Sequence, residues 1–239
     1  DDAFTAQKQF SASAAHELRT PLAVMQTNLE VFARKKTPTI EEYQDIFGMI
    51  QNQTERLSHL SEVLLDMTGI QSVERSDSIS LAELTDEVCC DLASIADQKK
   101  VELIQEEGDC TVTGSYLLLY RAVFNLVENA IKYNHSGGKV TVKISQKKDL
   151  PAAHSKPADY ALVEVTDTGI GISPEFQEKI FDPFFRVDKS RSRAMGGAGL
   201  GLALVAEIAR QHGGQVKVLA SSKKGSTIAL MLPINSPLI

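Results

Sequence analysis

"AAHELRTPLAVMQTNLEVF", residues 14–32, places apolar side chains at Leu18, Leu22, Met25, Leu29 and Phe32, in alternating steps of four and three. That spacing is a heptad seam, the stripe by which one helix packs along another. Carried backwards, the register meets Ala15, Ser11, Lys8 and Phe4. Residues 35–40, "KKTPTI", interrupt it, because Pro38 and Thr39 suit a helix interior poorly while Glu41 and Glu42 belong at a helix N-terminus. A second seam follows at Ile46, Ile50, Gln53, Leu57, Leu60, Leu64 and Met67, with Gln53 its one polar member. The expectation is an all-α antiparallel hairpin over residues 1–72. Two helices cannot bury two seams alone, so a homodimer sharing a four-helix core is expected, the alternative being a hairpin packed on the chain's own second domain.

His16 lies two residues before the seam position Leu18 and therefore points away from the core. Thr20 shares that outer face, about 6 Å along the axis at a rise of about 1.5 Å per residue. Glu17 is about 100° round the helix from His16. Pro21 has no N–H and crowds the carbonyl of Glu17, which predicts a kink or a softening at this turn. HExxH zinc binding is excluded because the fifth position is Thr20. A lone histidine on such a face is equally compatible with plain solvated surface.

The whole chain has 239 residues, 43% of them hydrophobic, enough for one large or two ordinary domains with real cores. A net charge of -6 argues against a nucleic-acid partner, which would want a basic face. Cys89, Cys90 and Cys110 form neither a CxxC pair nor a disulfide scaffold and read as reduced residues of a cytosolic domain. No apolar stretch approaches the roughly 18 residues of a membrane helix, and "DDAFTAQKQF" lacks the character of a signal peptide, so a soluble chain is expected.

A polar linker, "QSVERSDS" (71–78), leads into a region of different rhythm that occupies 73–239. Ser80 with Glu83 forms a capping box opening a helix over about 81–98. Strands are expected at 101–105, 111–113, 139–146, 160–166, 215–220 and 227–232, with helices at about 115–134 and 199–212. That alternation predicts an α/β two-layer sandwich. Residues 148–158 read as a surface hairpin loop, which leaves His154 inert.

Three clusters in this region carry chemistry. In "NLVENAIKYN" (125–134), Asn125, Asn129 and Lys132 share one helical face, where amide oxygens can ligate Mg²⁺ and a lysine can meet phosphate; such asparagines also serve as local hydrogen-bond partners. In "DTGIGI" (167–172), Asp167 ends a strand, and Gly169 and Gly171 allow a tight turn near a ligand or merely a turn. In "GGAGLGLAL" (196–204), glycines precede a long helix, whose first N–H groups favour phosphate. The stretch "FDPFFRVDKSRSRAMGG" (181–197) lies between them. Phe181, Phe184 and Phe185 can dock it while Arg186, Lys189, Arg191 and Arg193 form a basic lid over polyphosphate.

HELRTP, NLVENAIKY, DTGIGI, FDPFF and GAGLGL, in this order, resemble the H, N, G1, F and G2 boxes of bacterial sensor histidine kinases, and the resemblance covers essentially the whole chain. It implies a dimerisation and phosphoacceptor hairpin followed by an ATP-binding domain of the kind shared with gyrase, heat-shock chaperones and mismatch-repair ATPases. Carried over residue by residue, it makes His16 the phosphoacceptor, Glu17 its proton acceptor or orienting partner, and Thr20 a helper in phosphatase chemistry. Asn125 and Asn129 would ligate Mg²⁺, Lys132 would meet phosphate, Tyr133 would pack on the nucleotide, and Asp167 would accept the adenine amino group. Gly169, Gly171, Gly197, Gly199 and Gly201 would let the backbone approach ATP, with Phe184, Arg186 and Leu200 beside them. The implied partners are a second copy and the receiver domain of a response regulator, and the implied location is the cytoplasmic portion of a membrane-bound sensor. Ala15, Ala198 and Lys223 depart from the usual serine, hydroxyl residue and glycine, and none removes a catalytic group.

Chemistry and spacing leave two competing classes. An ATPase would need a base for water, and the related ATPases carry a glutamate where this chain has Asn125; an amide cannot take that proton. A non-catalytic adaptor that only senses nucleotide would have no use for the His16–Glu17 pair.

Overall fold

The computed structural model describes residues 2–70, 73–150, 158–187 and 198–234. The chain separates into two compact units, one holding Asp1–Thr68 and the other holding Gly69–Lys189 and Gly199–Ile239.

The first unit is the expected hairpin, α1 (Asp2–Ala33) and α2 (Ile40–Gly69). Thr39 starts α2 as half of a reciprocal capping box that the sequence reading passed over: its hydroxyl accepts from the Glu42 N–H at 3.2 Å, and the Glu42 carboxylate accepts from the Thr39 N–H at 3.0 Å. Lys35, from the turn, reaches the same carboxylate at 2.5 Å. Those contacts hold the Glu42 carboxyl below its ordinary range, the Lys35 bond being the largest cause. Phe32 meets Tyr43 edge-on at 5.0 Å, and farther from the turn Glu17 meets Arg56 at 3.5 Å, so the helices run antiparallel. Helix α1 passes through Pro21 without ending. The α2 seam is inward, with Ile46 and Leu60 buried and Leu57, Leu64 and Met67 half-buried. The α1 seam is less covered: Met25 and Phe32 are half-buried, but Leu22 and Leu29 remain 47% and 44% exposed.

The second unit contains β1 (Asp77–Ser80), α3 (Leu81–Lys99), β2 (Glu102–Gln105), β3 (Thr111–Gly114), α4 (Tyr116–Lys132), β4 (Lys139–Leu150), β5 (Ala158–Asp167), α5 (Gly201–Gln211), β6 (Gln215–Ser222) and β7 (Gly225–Pro233). Every expected strand and helix of this unit is present. The end of the expected linker differs: Asp77–Ser80 is a strand paired antiparallel with β3, with Ile79 opposite Val112. One inward apolar residue among polar neighbours is too little pattern to announce a strand. The main sheet has the order β2-β4-β5-β7-β6, with β2 parallel to β4 and every other pair antiparallel.

Register explains the core. Val163 stands opposite Ile144 on β4 and Leu230 on β7, and all three are buried. Helices α3, α4 and α5 lie side by side, α4 in the middle, burying Leu119, Val123, Leu126, Val127 and Ile131. The alternate face of the central strands is also closed, through Tyr160, Leu162, Ala229 and Met231. The capping box at Ser80 is half as expected. Ser80 Oγ accepts from the Glu83 N–H at 3.2 Å, while Asp109 accepts from the Ala82 N–H at 3.0 Å.

Two ties fix α4. At its start, the Ser115 N–H donates to Nε2 of the buried His212 at 3.1 Å, so the imidazole proton sits on Nδ1, which donates to the Ile208 carbonyl at 2.8 Å. At its end, Lys99 Nζ donates to the carbonyls of Ile131 (2.9 Å) and Lys132, a cation at a helix C-terminus.

Candidate functional site

Asp167 is the last residue of β5, two and four positions beyond Val165 and Val163, so it shares their face of the sheet. Its Oδ1 accepts from the Gly169 N–H at 2.7 Å, and its Oδ2 accepts from the Ser226 hydroxyl at 2.6 Å. Ser226 is its direct cross-strand partner on β7. One step back, the Thr166 and Thr227 hydroxyls pair at 3.0 Å. A carboxylate held on both oxygens keeps one orientation and stays an acceptor.

The turn after Asp167 closes on the end of α4. The Ile170 N–H donates to the Tyr133 carbonyl at 3.4 Å, and Gly169 packs against that same carbonyl. Asn134, buried, donates to the Lys139 carbonyl at 2.9 Å and accepts from the Thr168 hydroxyl at 3.2 Å. The end of α4 and the Asp167 turn are therefore one hydrogen-bonded body. Gly171 lies against the β6–β7 turn at Ser222.

Asn125 and Asn129 lie half-buried on the flank of α4. The Asn125 Nδ2 donates to the Arg121 carbonyl at 2.9 Å, and this leaves Oδ1 on the side of α5. A Cβ on Gly201, the first residue of α5, would sit 2.6 Å from that oxygen and 3.5 Å from Nδ2 of Asn129. Glycine at 201 is thus what lets the helix start approach the two carboxamides. Gly199, with φ +73°, holds a left-handed turn whose carbonyl accepts from the Phe184 N–H at 2.8 Å. Phe184 itself has φ +65°, a conformation that costs a bulky residue energy and that this bond retains. Phe185 packs on Phe176 with ring centroids 5.7 Å apart. The start of α5 lies against the two carboxamides and directly follows the glycine turn, a grouping suited to a polyphosphate.

In the hairpin, His16 is exposed. Around it Glu17, Leu18 and Thr20 are half-buried and Pro21 is buried, while Ala15 and Arg19 are exposed like His16. The Thr20 hydroxyl donates to the His16 carbonyl at 3.0 Å. The Glu17 carboxylate faces α2, 3.5 Å from the Arg56 guanidinium.

Residues 6–72 match the family described as His Kinase A (phospho-acceptor) domain, and residues 114–236 match the family described as histidine kinase-, DNA gyrase B-, and HSP90-like ATPase. This chain belongs to the bacterial sensor histidine kinases. It is 34% identical over 235 residues to sensor histidine kinase RppB of Synechocystis, covering 96% of this chain and 50% of RppB, and 31% identical over 231 residues to WalK of Bacillus subtilis, covering 95% and 36%. The kinase core thus spans half or less of the length of these relatives. Among solved structures it is similar to the histidine kinase ThkA crystallised with the response regulator protein TrrA (TM-score 0.71, 21% identity, 97% of this chain and 63% of that one). It is also similar to AdeS of Acinetobacter baumannii (TM-score 0.68, 22% identity, 92% and 98%).

Within this histidine kinase core, the structure brings Asn125, Asn129, Gly199 and Gly201 together, and separately joins Tyr133, Asp167 and Gly169. Lys132 is half-buried in the last turn of α4, and Arg186 is half-buried beyond Phe185. Leu200 is a core residue, 1% exposed, whose carbonyl accepts from the Leu204 N–H, so only its backbone is available to a ligand. Gly197, Lys189, Arg191, Arg193 and His154 fall outside the described residues. Sequence reasoning missed Ser226, Asn134, Lys99 and Arg56. Ser226 carried a faint signal in the run "KKGST", where the departure at Lys223 drew attention instead.

The described residues contain no cluster of three histidine, cysteine or acidic side chains able to hold a metal. The groups at the α4–α5 junction are neutral carboxamides, Asn125 presenting Oδ1 and Asn129 Nδ2 toward Gly201, and each amide carries an oxygen that can serve as a ligand. Such donors fit Mg²⁺ shared with phosphates, because this ion keeps much of its shell from water and substrate oxygens.

Proposed function

We propose that this chain uses ATP to phosphorylate its own His16 and passes the phosphoryl group to an aspartate in the receiver domain of a response regulator. The observation that carries the reading is the exposed His16 imidazole beside the half-buried Glu17 and Thr20, in a chain whose second unit holds an ATP-type site. The imidazole attacks the γ-phosphorus with its lone pair, the bond to the β–γ bridging oxygen breaks, and ADP leaves. The proton on the other ring nitrogen passes to Glu17. Asp167, oriented by Ser226 and Gly169, accepts from the adenine amino group, and Tyr133 packs on the base. The start of α5 with Gly197, Gly199 and Gly201 receives the phosphates, and Lys132 and Arg186 add positive charge. Asn129 with Asn125 would hold Mg²⁺, which offsets charge on the transferred group when bound.

Hydrolysis has no base in this arrangement, since Asn125 presents a carboxamide whose Nδ2 is already given to Arg121. Incubation with γ-labelled ATP tests the whole reading. The expected result is acid-labile, base-stable label that disappears in His16→Gln while ATP binding persists. Label in that variant, or steady phosphate release without labelled protein, overturns it.

The apolar strip at Leu22, Leu29, Phe47 and Leu65 supports a homodimer, because a hairpin that leaves those side chains to water gains by covering them. Thr20 is assigned to dephosphorylation of the regulator: its hydroxyl, donating to the His16 carbonyl, keeps its lone pairs for a water that attacks the aspartyl phosphate and releases inorganic phosphate. Thr20→Ala then retains self-labelling within a few-fold and slows regulator dephosphorylation; equal decay rates with variant and native protein remove that role. No helix among the described residues is long and apolar enough to cross a membrane. The chain's share of its relatives' length supports its being the cytoplasmic portion of a longer, membrane-bound sensor.

A further inference from the structure

The two charged pairs of the hairpin are unlike one another. Lys35 and Glu42, at the turn, keep 43% and 37% of their side chains exposed, as surface pairs do. Glu17 and Arg56 keep 13% and 14%. They join different helices at the level of His16, and they sit where an apolar pair would satisfy packing equally well. Arg56 is one position before the seam residue Leu57 and four before the buried Leu60, so its long stem runs along the helix interface. Glu17 is one position before Leu18 and one after His16, so the side chain next to the reacting histidine is the one α2 holds. Oε2 of Glu17 faces the guanidinium at 3.5 Å, so the carboxylate is held toward α2.

We infer that Arg56 is a positioning residue for phosphorylation of His16: by pinning one Glu17 oxygen against α2, it fixes the carboxylate that orients the imidazole and takes its proton. The inference rests on the proposed roles of His16 and Glu17. Arg56 touches neither nucleotide nor phosphoryl group, and its contribution passes through Glu17. A guanidinium suits the task because its planar, permanently charged fork holds a carboxylate in one rotamer. The arrangement also makes α2 a participant in the chemistry. A slide or rotation of α2 along α1 would carry the Glu17 carboxylate with it and change its reach to the ring, without altering the ATP site.

The test uses the whole chain and measures the self-phosphorylation rate at saturating Mg-ATP together with the KM for ATP. Arg56→Met is expected to lower the saturated rate about tenfold, the scale of a misaligned catalytic group, with KM unchanged. Arg56→Lys is expected to recover most of that loss. In a Glu17→Gln background, Arg56→Met is expected to produce no further loss, because its route of action is already gone. Transfer from chains already phosphorylated on His16 to a regulator is expected to stay within twofold. A rate within twofold of native in Arg56→Met overturns the inference, as does a full additional loss in the Glu17→Gln background. A fall in Arg56→Met that Arg56→Lys does not repair, accompanied by a lower melting temperature, assigns Arg56 to folding alone and overturns it too. Persistent label in His16→Gln, run alongside, would instead refute the acceptor assignment on which the inference rests, so the two failures are distinguishable.

Discussion

Helices α1 and α3 both follow from apolar periodicity, yet they end in opposite conditions. In α3 the apolar positions Leu81, Leu84, Val88 and Leu92 are fully buried against the chain's own β2 and α4. In the hairpin, Leu22, Leu29, Phe47 and Leu65 keep close to half or more of their surface in water. One unit closes its core by itself and the other leaves part of its apolar surface open. That division suits the chemistry. A nucleotide site needs fixed carboxamides and a fixed carboxylate, whereas a phosphoacceptor must be open to three visitors in turn: ATP, a regulator and water.

The contrast can be broken most severely where α5 begins against the two carboxamides. Gly201→Val would place a branched carbon where 2.6 Å separates a Cβ from Asn125 Oδ1, so the Asn125 carboxamide or the start of α5 must shift. A loss of ATP affinity of at least about tenfold is expected by calorimetry, with the hairpin's helical content unchanged. Native affinity would show that α5 does not approach the carboxamides in solution. Asn129→Ala is a milder companion within the same comparison, its loss confined to binding with Mg²⁺ present.

Leu29→Lys addresses the open unit. A charge in the strip that a second copy would cover costs the dimer about 2 kcal/mol or more per protomer through lost burial and desolvation. Sedimentation is expected to show monomers at concentrations where the native chain is dimeric, with nucleotide affinity intact. A dimer of unchanged affinity would place the covered surface elsewhere.

The smallest effect lies in the closed unit and depends on pH. Burial is the main reason the His212 pKa falls below its ordinary 6.5; the charge of Arg75 adds to this, against an upward pull from the Ile208 bond. The unfolded chain takes up a proton near 6.5 and the folded chain does so only at lower pH. Stability is therefore full above 6.5 and declines below it, by at most about 1.4 kcal/mol per pH unit. Melting curves between pH 7.5 and 5.5 should show that slope, and His212→Gln should flatten it at a lower starting stability.

The sequence was informative wherever information is local. Seam spacing predicted both hairpin helices, apolar alternation predicted six strands, and the glycine clusters identified the turns now seen around Asp167 and Gly199. Arg56 was not legible, because its pairing with Glu17 depends on how far α2 slides along α1, and heptads repeat without stating the offset. Ser226 was hidden for a similar reason. It meets Asp167 only through the register of β5 with β7, some sixty residues apart in the chain. Strand β1 escaped notice because Ile79 is its single buried residue.

Helices α4 and α5 are fastened at both ends by unlike means. The end of α5 is stapled to the start of α4 through a dry imidazole, while the start of α5 meets α4 only across Gly201 and two water-accessible carboxamides. The first turn of α5 rests on the burial of Leu200, Ala203 and Leu204, and the far end of the helix adds a buried hydrogen bond to α4, so opening of that helix is expected to begin at its first turn.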